Sequence, residues 1–147
     1  MTRPYRSRTE NQKGFSLLEA LLGIFIFSIG VLAVVGMQAV AVKSVAESKY
    51  RMDASFLANE IIGEMWANRS NLPSYAYAGG TPPLVLEKWV DKVDASLPGT
   101  AANPPTIQIG AGNEVTITIF WQHPEEANLA APPPPHEYMA IASINCC

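Results

Sequence analysis

Cysteine and histidine are scarce, with two of each among 147 residues. The cysteines, Cys146 and Cys147, are adjacent, so no loop-closing disulfide can join them. A bond between neighbours would close a small strained ring and remove little entropy from the unfolded chain. Free thiols, bonds to another chain and a vicinal disulfide are expected in that order. The histidines, His123 and His136, each adjoin a proline, which points to solvated loops. Zinc sites need three or four converging ligands, so neither a metal nor a cofactor is expected. A Gly-rich phosphate loop, a Gly-x-Ser-x-Gly elbow and a Cys/His pair with an orienting third group are all missing. The chain is therefore not expected to be an enzyme. A net charge of −3 is too mild to imply a nucleic-acid partner.

The most informative shortage is one of charge. From Ala20 to Val42, 23 residues contain no Asp, Glu, Lys, Arg or His. At ~1.5 Å per residue a helix of this length covers roughly 34 Å, enough for a ~30 Å hydrocarbon core. Gly23, Gly30 and Gly36 interrupt the run, as membrane helices tolerate better than soluble ones. Before it stand Arg3, Arg6, Arg8 and Lys13 against Glu10. Such a basic leader stays on the cytoplasmic side and directs the chain beyond Val42 across the membrane. The mixed charges Lys43, Glu47, Lys49, Arg51 and Asp53 oppose this only weakly.

Three readings fit a basic start followed by an apolar run. One is a plain single-pass membrane anchor. Another is a secretory signal peptide cut after Ala39-Val-Ala41. Against it, the run exceeds the usual ~7–15 residues of a signal core, and Glu19 would hinder insertion. The third begins from Lys13-Gly-Phe-Ser-Leu-Leu-Glu19 and the long apolar helix behind it. This combination resembles the class III prepilin leader of type IV pilins and of the pseudopilins of type II secretion. The resemblance implies that a membrane peptidase cuts between Gly14 and Phe15 and methylates the new amino terminus of Phe15. It also implies that Glu19 serves filament assembly. A carboxylate deep in hydrocarbon costs about 2.5–3.5 kcal/mol and persists where it finds a partner. An α-amino group, largely protonated below about pH 7.7, is such a partner when supplied by a neighbouring subunit.

Beyond the apolar run, Lys43 to Arg69 holds no proline and is rich in Ala, Glu, Met, Leu and Lys, all good helix formers. Met52, Phe56 and Trp66 fall on one side of that helix, and Leu57, Ile61 and Met65 on the opposite side. Two apolar stripes suggest packing on the protein's own head and on neighbours, or a helix buried on both sides. A helix from Phe15 to about Arg69 would span roughly 80 Å, with Asn68, Ser70, Asn71 and Pro73 ending it. A loop follows over 74–83. Leu86, Trp89, Val90, Val93 and Leu97 recur at helical spacing and predict a short amphipathic helix over 84–97, with Trp89 in the core. Alternation over 106–109 and 114–122, around Gly110-Ala-Gly-Asn113, predicts a hairpin. In it Val115, Ile117, Ile119 and Trp121 face the long helix. A third strand is expected over 137–145, and Pro132–Pro135 before it prevent sheet pairing and favour an exposed extended loop.

The expected fold class is α+β. A long N-terminal spine helix, half of it transmembrane, carries a small antiparallel β-sheet head on its C-terminal half, the layout of the pilin fold. The expected segments are a cleaved leader over 1–14, a membrane and filament-core helix over 15–42, a projecting helix over 43–71, and a periplasmic head over 72–147 with its sheet over 106–145. The stretches Ile62–Arg69, Trp89–Gly99 and Val115–Trp121 resemble minor pilins of the PilV type. That resemblance implies a subunit that primes assembly or caps the filament and presents an adhesin, with a minor pseudopilin as the alternative. Major pilins usually close a C-terminal loop with a widely spaced disulfide and often place a proline in the membrane helix. Adjacent cysteines and Gly36 depart from both habits. The implied partners are prepilin peptidase, other major and minor pilins, the inner-membrane pilus assembly platform, a tip adhesin and membrane lipid. The implied location is the bacterial inner membrane, with the head in the periplasm, and then the filament.

Overall fold

The computed structural model describes residues 13–145, with side chains over 16–145. The expected leader up to residue 12, the side chain of Phe15 and the pair Cys146–Cys147 lie outside the described residues. The chain divides into two units, residues 1–44 and 45–147.

Helix α1 (Lys13–Ala67) has 55 residues and no internal proline. Over residues 16–45 every side chain is exposed, and apolar groups occupy all sides of the helix. A helix that is hydrophobic all round is stable when lipid or other protein surrounds it, because its backbone polar groups are already satisfied internally. Among the described residues, α1 is the one helix long and apolar enough to cross a membrane.

In the second unit, α1 behaves differently. Ala54, Leu57, Ala58, Ile61 and Met65 are buried, and their three- and four-residue steps make one stripe. Met52, Phe56 and Trp66 remain 70%, 65% and 43% exposed, so the helix is not buried on both sides. Asn68 N donates the last helical bond, to Glu64 O at 2.9 Å. The chain then tightens into a 3₁₀ segment, Arg69–Tyr75, anchored by buried Leu72 and Tyr75. The helix thus ends two residues earlier than its composition suggests.

Helix α2 (Glu87–Ser96) buries Trp89, Val90 and Val93, with Leu86 and Leu97 buried at its ends. Leu84 and Val85, expected inside it, stay outside. Pro82 and Pro83 cannot supply backbone donors, and a turn closes first, Leu86 N to Pro83 O at 2.8 Å. Trp89 is a core residue, and its Nε1 donates to Leu57 O at 3.0 Å.

The strands are β1 (Thr106–Ile109), β2 (Glu114–Trp121) and β3 (His136–Ser143), antiparallel in the order β1-β2-β3. Ile107 pairs with Ile117, and Trp121 with His136. The β1–β2 connection turns through Gly112 (φ 73°) and Asn113 (φ 58°), the two residue types that best tolerate left-handed backbone. Val115, Ile117, Ile119 and Trp121 are fully buried and share one face, which packs on α1. Each such side chain contributes about 1.5–3 kcal/mol on burial. Tyr77 adds an isolated antiparallel bridge to Ile107, inside the stretch expected as a plain loop. The β2–β3 connection holds one helical turn, α3 (Pro124–Ala127), and then exposed Pro132–Pro134.

Candidate functional site

Gly14, Phe15 and Glu19 all lie on α1. The four-residue step from Phe15 to Glu19 is one turn, about 6 Å along the axis, and it places both positions on one face. Glu19 is exposed among Leu17, Leu18, Leu21 and Leu22, which are exposed as well. No hydrogen bond or ion pair joins Glu19 to another described residue. A solitary carboxylate on an apolar helix is costly in lipid and calls for a partner outside this helix.

A second constellation sits at one end of the sheet. Glu47, on the first turn of α1 within the second unit, lies seven residues before Ala54 and so in phase with the buried stripe. Its Oε2 accepts from Trp121 Nε1 at 3.2 Å and lies 3.0 Å from His123 Nε2. Its Oε1 lies 3.5 Å from His136 Nδ1. The other ring nitrogen of His136, Nε2, is 3.1 Å from Glu126 Oε2. Trp121 stacks on His136 at 5.9 Å between centroids, and Tyr50 packs on His123 at 5.3 Å. Burial alone would raise the Glu47 carboxyl. The hydrogen bonds from His123 and Trp121, with the charges of the two imidazoles, outweigh it and hold the group below its ordinary value.

The expectation of two solvated loop histidines is therefore wrong. His136 opens β3, paired with Trp121, and the His123 side chain is only 11% exposed. The flanking prolines are compatible with both positions, because Pro135 precedes the strand and Pro124 starts α3. A usable signal was present: His136 is in register with Tyr138, Ala140 and Ala142, the less exposed side of β3. Glu47 could not be paired with them from sequence, being 76 residues from His123.

Residues 10–35 match the model of the prokaryotic N-terminal methylation motif. The chain carries a class III prepilin leader. The matched region contains Lys13, Gly14, Phe15 and Glu19 and more than half of the uncharged run. The leader supports a type IV pilin-like or pseudopilin protein. It implies processing by prepilin peptidase and an assembly context in a pilus or pseudopilus. It marks the chain as a peptidase substrate and fits anchoring in the inner membrane. Residues 36–147 lie outside the match, and no curated protein or solved structure matches the chain.

Proposed function

We propose that the chain is a minor pilin of a type IV pilus, one that primes assembly or caps the filament and presents an adhesin. The carrying observation is the prepilin leader running directly into a helix that is apolar and exposed on every side, with Glu19 one turn beyond Phe15. Cleavage between Gly14 and Phe15 leaves residues 15–42 as the membrane and filament-core helix, and residues 72–147 as a periplasmic head. Glu19 then meets the methylated amino group of Phe15 on an adjacent subunit. That contact gains strength when both groups enter an apolar filament core. Exposed Met52, Phe56 and Trp66 supply an apolar stripe for neighbours further along the helix. The adjacent cysteines favour a minor subunit, since they cannot close the wide loop usual in major pilins.

Glu19→Ala tests this reading. The variant should reach the membrane in normal amounts, yet its level in sheared filaments should fall at least about tenfold, the factor that about 1.4 kcal/mol yields. Normal incorporation would sink the role given to Glu19. Deletion of the gene should reduce piliation and leave protein secretion intact; the reverse result would assign the chain to a type II pseudopilus.

A further inference from the structure

We propose that Glu47, His123 and His136 form a binding site for one divalent transition metal ion of the zinc class. The three side chains offer ligand atoms that all lie within 4.8 Å of one another. Two of the separations are 3.0 Å (Glu47 Oε2 to His123 Nε2) and 3.5 Å (Glu47 Oε1 to His136 Nδ1). Tetrahedral zinc with bonds of about 2.0–2.1 Å has ligand–ligand edges of about 3.3 Å. Each imidazole nitrogen thus lies within a few tenths of an ångström of that edge from a different oxygen of the Glu47 carboxylate, so an ion here would be held by both oxygens or after a small rotation of Glu47.

The proton inventory of His136 points the same way. Both of its ring nitrogens face carboxylate oxygens, Glu47 Oε1 at 3.5 Å and Glu126 Oε2 at 3.1 Å. A neutral imidazole carries one N–H and one lone pair, so one of these contacts would set lone pair against lone pair. A cation between Nδ1 and Glu47 removes that conflict. It leaves Nε2–H to donate to Glu126, and a carboxylate behind a ligating histidine fixes the tautomer and raises the ligand's basicity. Trp121 Nε1 donates to Glu47 Oε2 at 3.2 Å and so fixes the carboxylate, and the indole stacks on the His136 ring.

Two imidazoles and a carboxylate suit zinc, copper or nickel better than calcium or magnesium, which prefer all-oxygen sets. Three protein ligands leave a fourth position for water. The ion would tie α1 to the end of β2 and the start of β3, fastening the segment 122–136 that carries α3 and the prolines.

The test uses the full chain in detergent with Cys146 and Cys147 replaced by serine, so that thiols cannot compete. After stripping by a chelator, Zn²⁺ is titrated calorimetrically, and Co²⁺ serves as a spectroscopic probe. One equivalent should bind, with the visible absorption of tetrahedral cobalt and a higher Tm. Glu126→Gln should weaken Zn²⁺ about 10–100-fold, as loss of a partner behind a ligating histidine does. His123→Gln with His136→Gln should abolish uptake, while Glu60→Gln, on the exposed ion pair with Lys92, should leave it unchanged. Circular dichroism of the metal-free variants shows whether the fold persists. No saturable uptake by the wild-type cluster would overturn the proposal. Binding that survives in the folded double histidine variant would overturn it equally.

Discussion

Tyr75 and Tyr77 show how single side chains fix the start of the head. Both are buried, and Tyr75 Oη donates to Glu64 Oε1 and accepts from Asn68 Nδ2, each at 3.2 Å. Burial raises both phenols above their ordinary value of 10.0; Glu64 adds to the shift at Tyr75 and Asp94 at Tyr77, while the Asn68 bond opposes it. A raised folded value stabilises the fold fully below the unfolded value and loses that contribution as pH climbs through the interval above it. The head should accordingly lose stability above pH ~10, with these phenols ionising only as it unfolds. Phenolate absorbance and circular dichroism, followed together across an alkaline titration, should change in concert; ionisation well before unfolding would contradict this. At this scale the α2 core was legible in sequence, since Leu86, Trp89, Val90 and Val93 stand at helical spacing, whereas α1 offered two apolar stripes and only packing shows that Leu57, Ile61 and Met65 are the buried one. The Glu47–His123–His136 cluster was not, because its members meet only through the sheet register and the packing of α1.

Among the elements, the loops rather than the helices and strands separated expectation from structure. The hairpin and α2 follow from alternation and period, signals that survive tertiary packing. α3 escaped notice at four residues, although Pro124 at its first position and Glu125 and Glu126 in its first turn are start signals. The Tyr77–Ile107 bridge was invisible for a different reason: one paired residue leaves no periodic trace. Leu97-Pro-Gly99 follows α2 directly. Gly99 has φ +79°, and a Cβ there would lie 3.0–3.2 Å from Gln122 atoms, two of them backbone. Pro98 O accepts from Gln122 N at 2.9 Å, so this segment clasps the chain just beyond β2. Gly99→Ala should cost about 1–3 kcal/mol through positive φ and crowding, read as a lower urea midpoint with an unchanged slope. A neutral result would mean that the clasp moves aside freely.

For the whole molecule, composition and one short motif carry most of the weight. A run without charge, a basic start and the order Gly14-Phe15…Glu19 point to a membrane helix with a processing point, and residues 10–35, which include Gly14, Phe15 and Glu19, match the methylation motif. The α+β architecture was equally readable, because a proline-free helix and alternating strands leave few ways to bury their apolar faces. What the head binds was not readable: its exposed loops obey no packing rule that a sequence expresses. The central claim is that the chain is a processed pilin-like subunit, and it rests on one covalent event. Mass spectrometry of the amino terminus from isolated membranes tests it most directly. The expected chain begins at N-methylated Phe15, whereas an intact Met1, or a chain starting at Val42, would contradict the account.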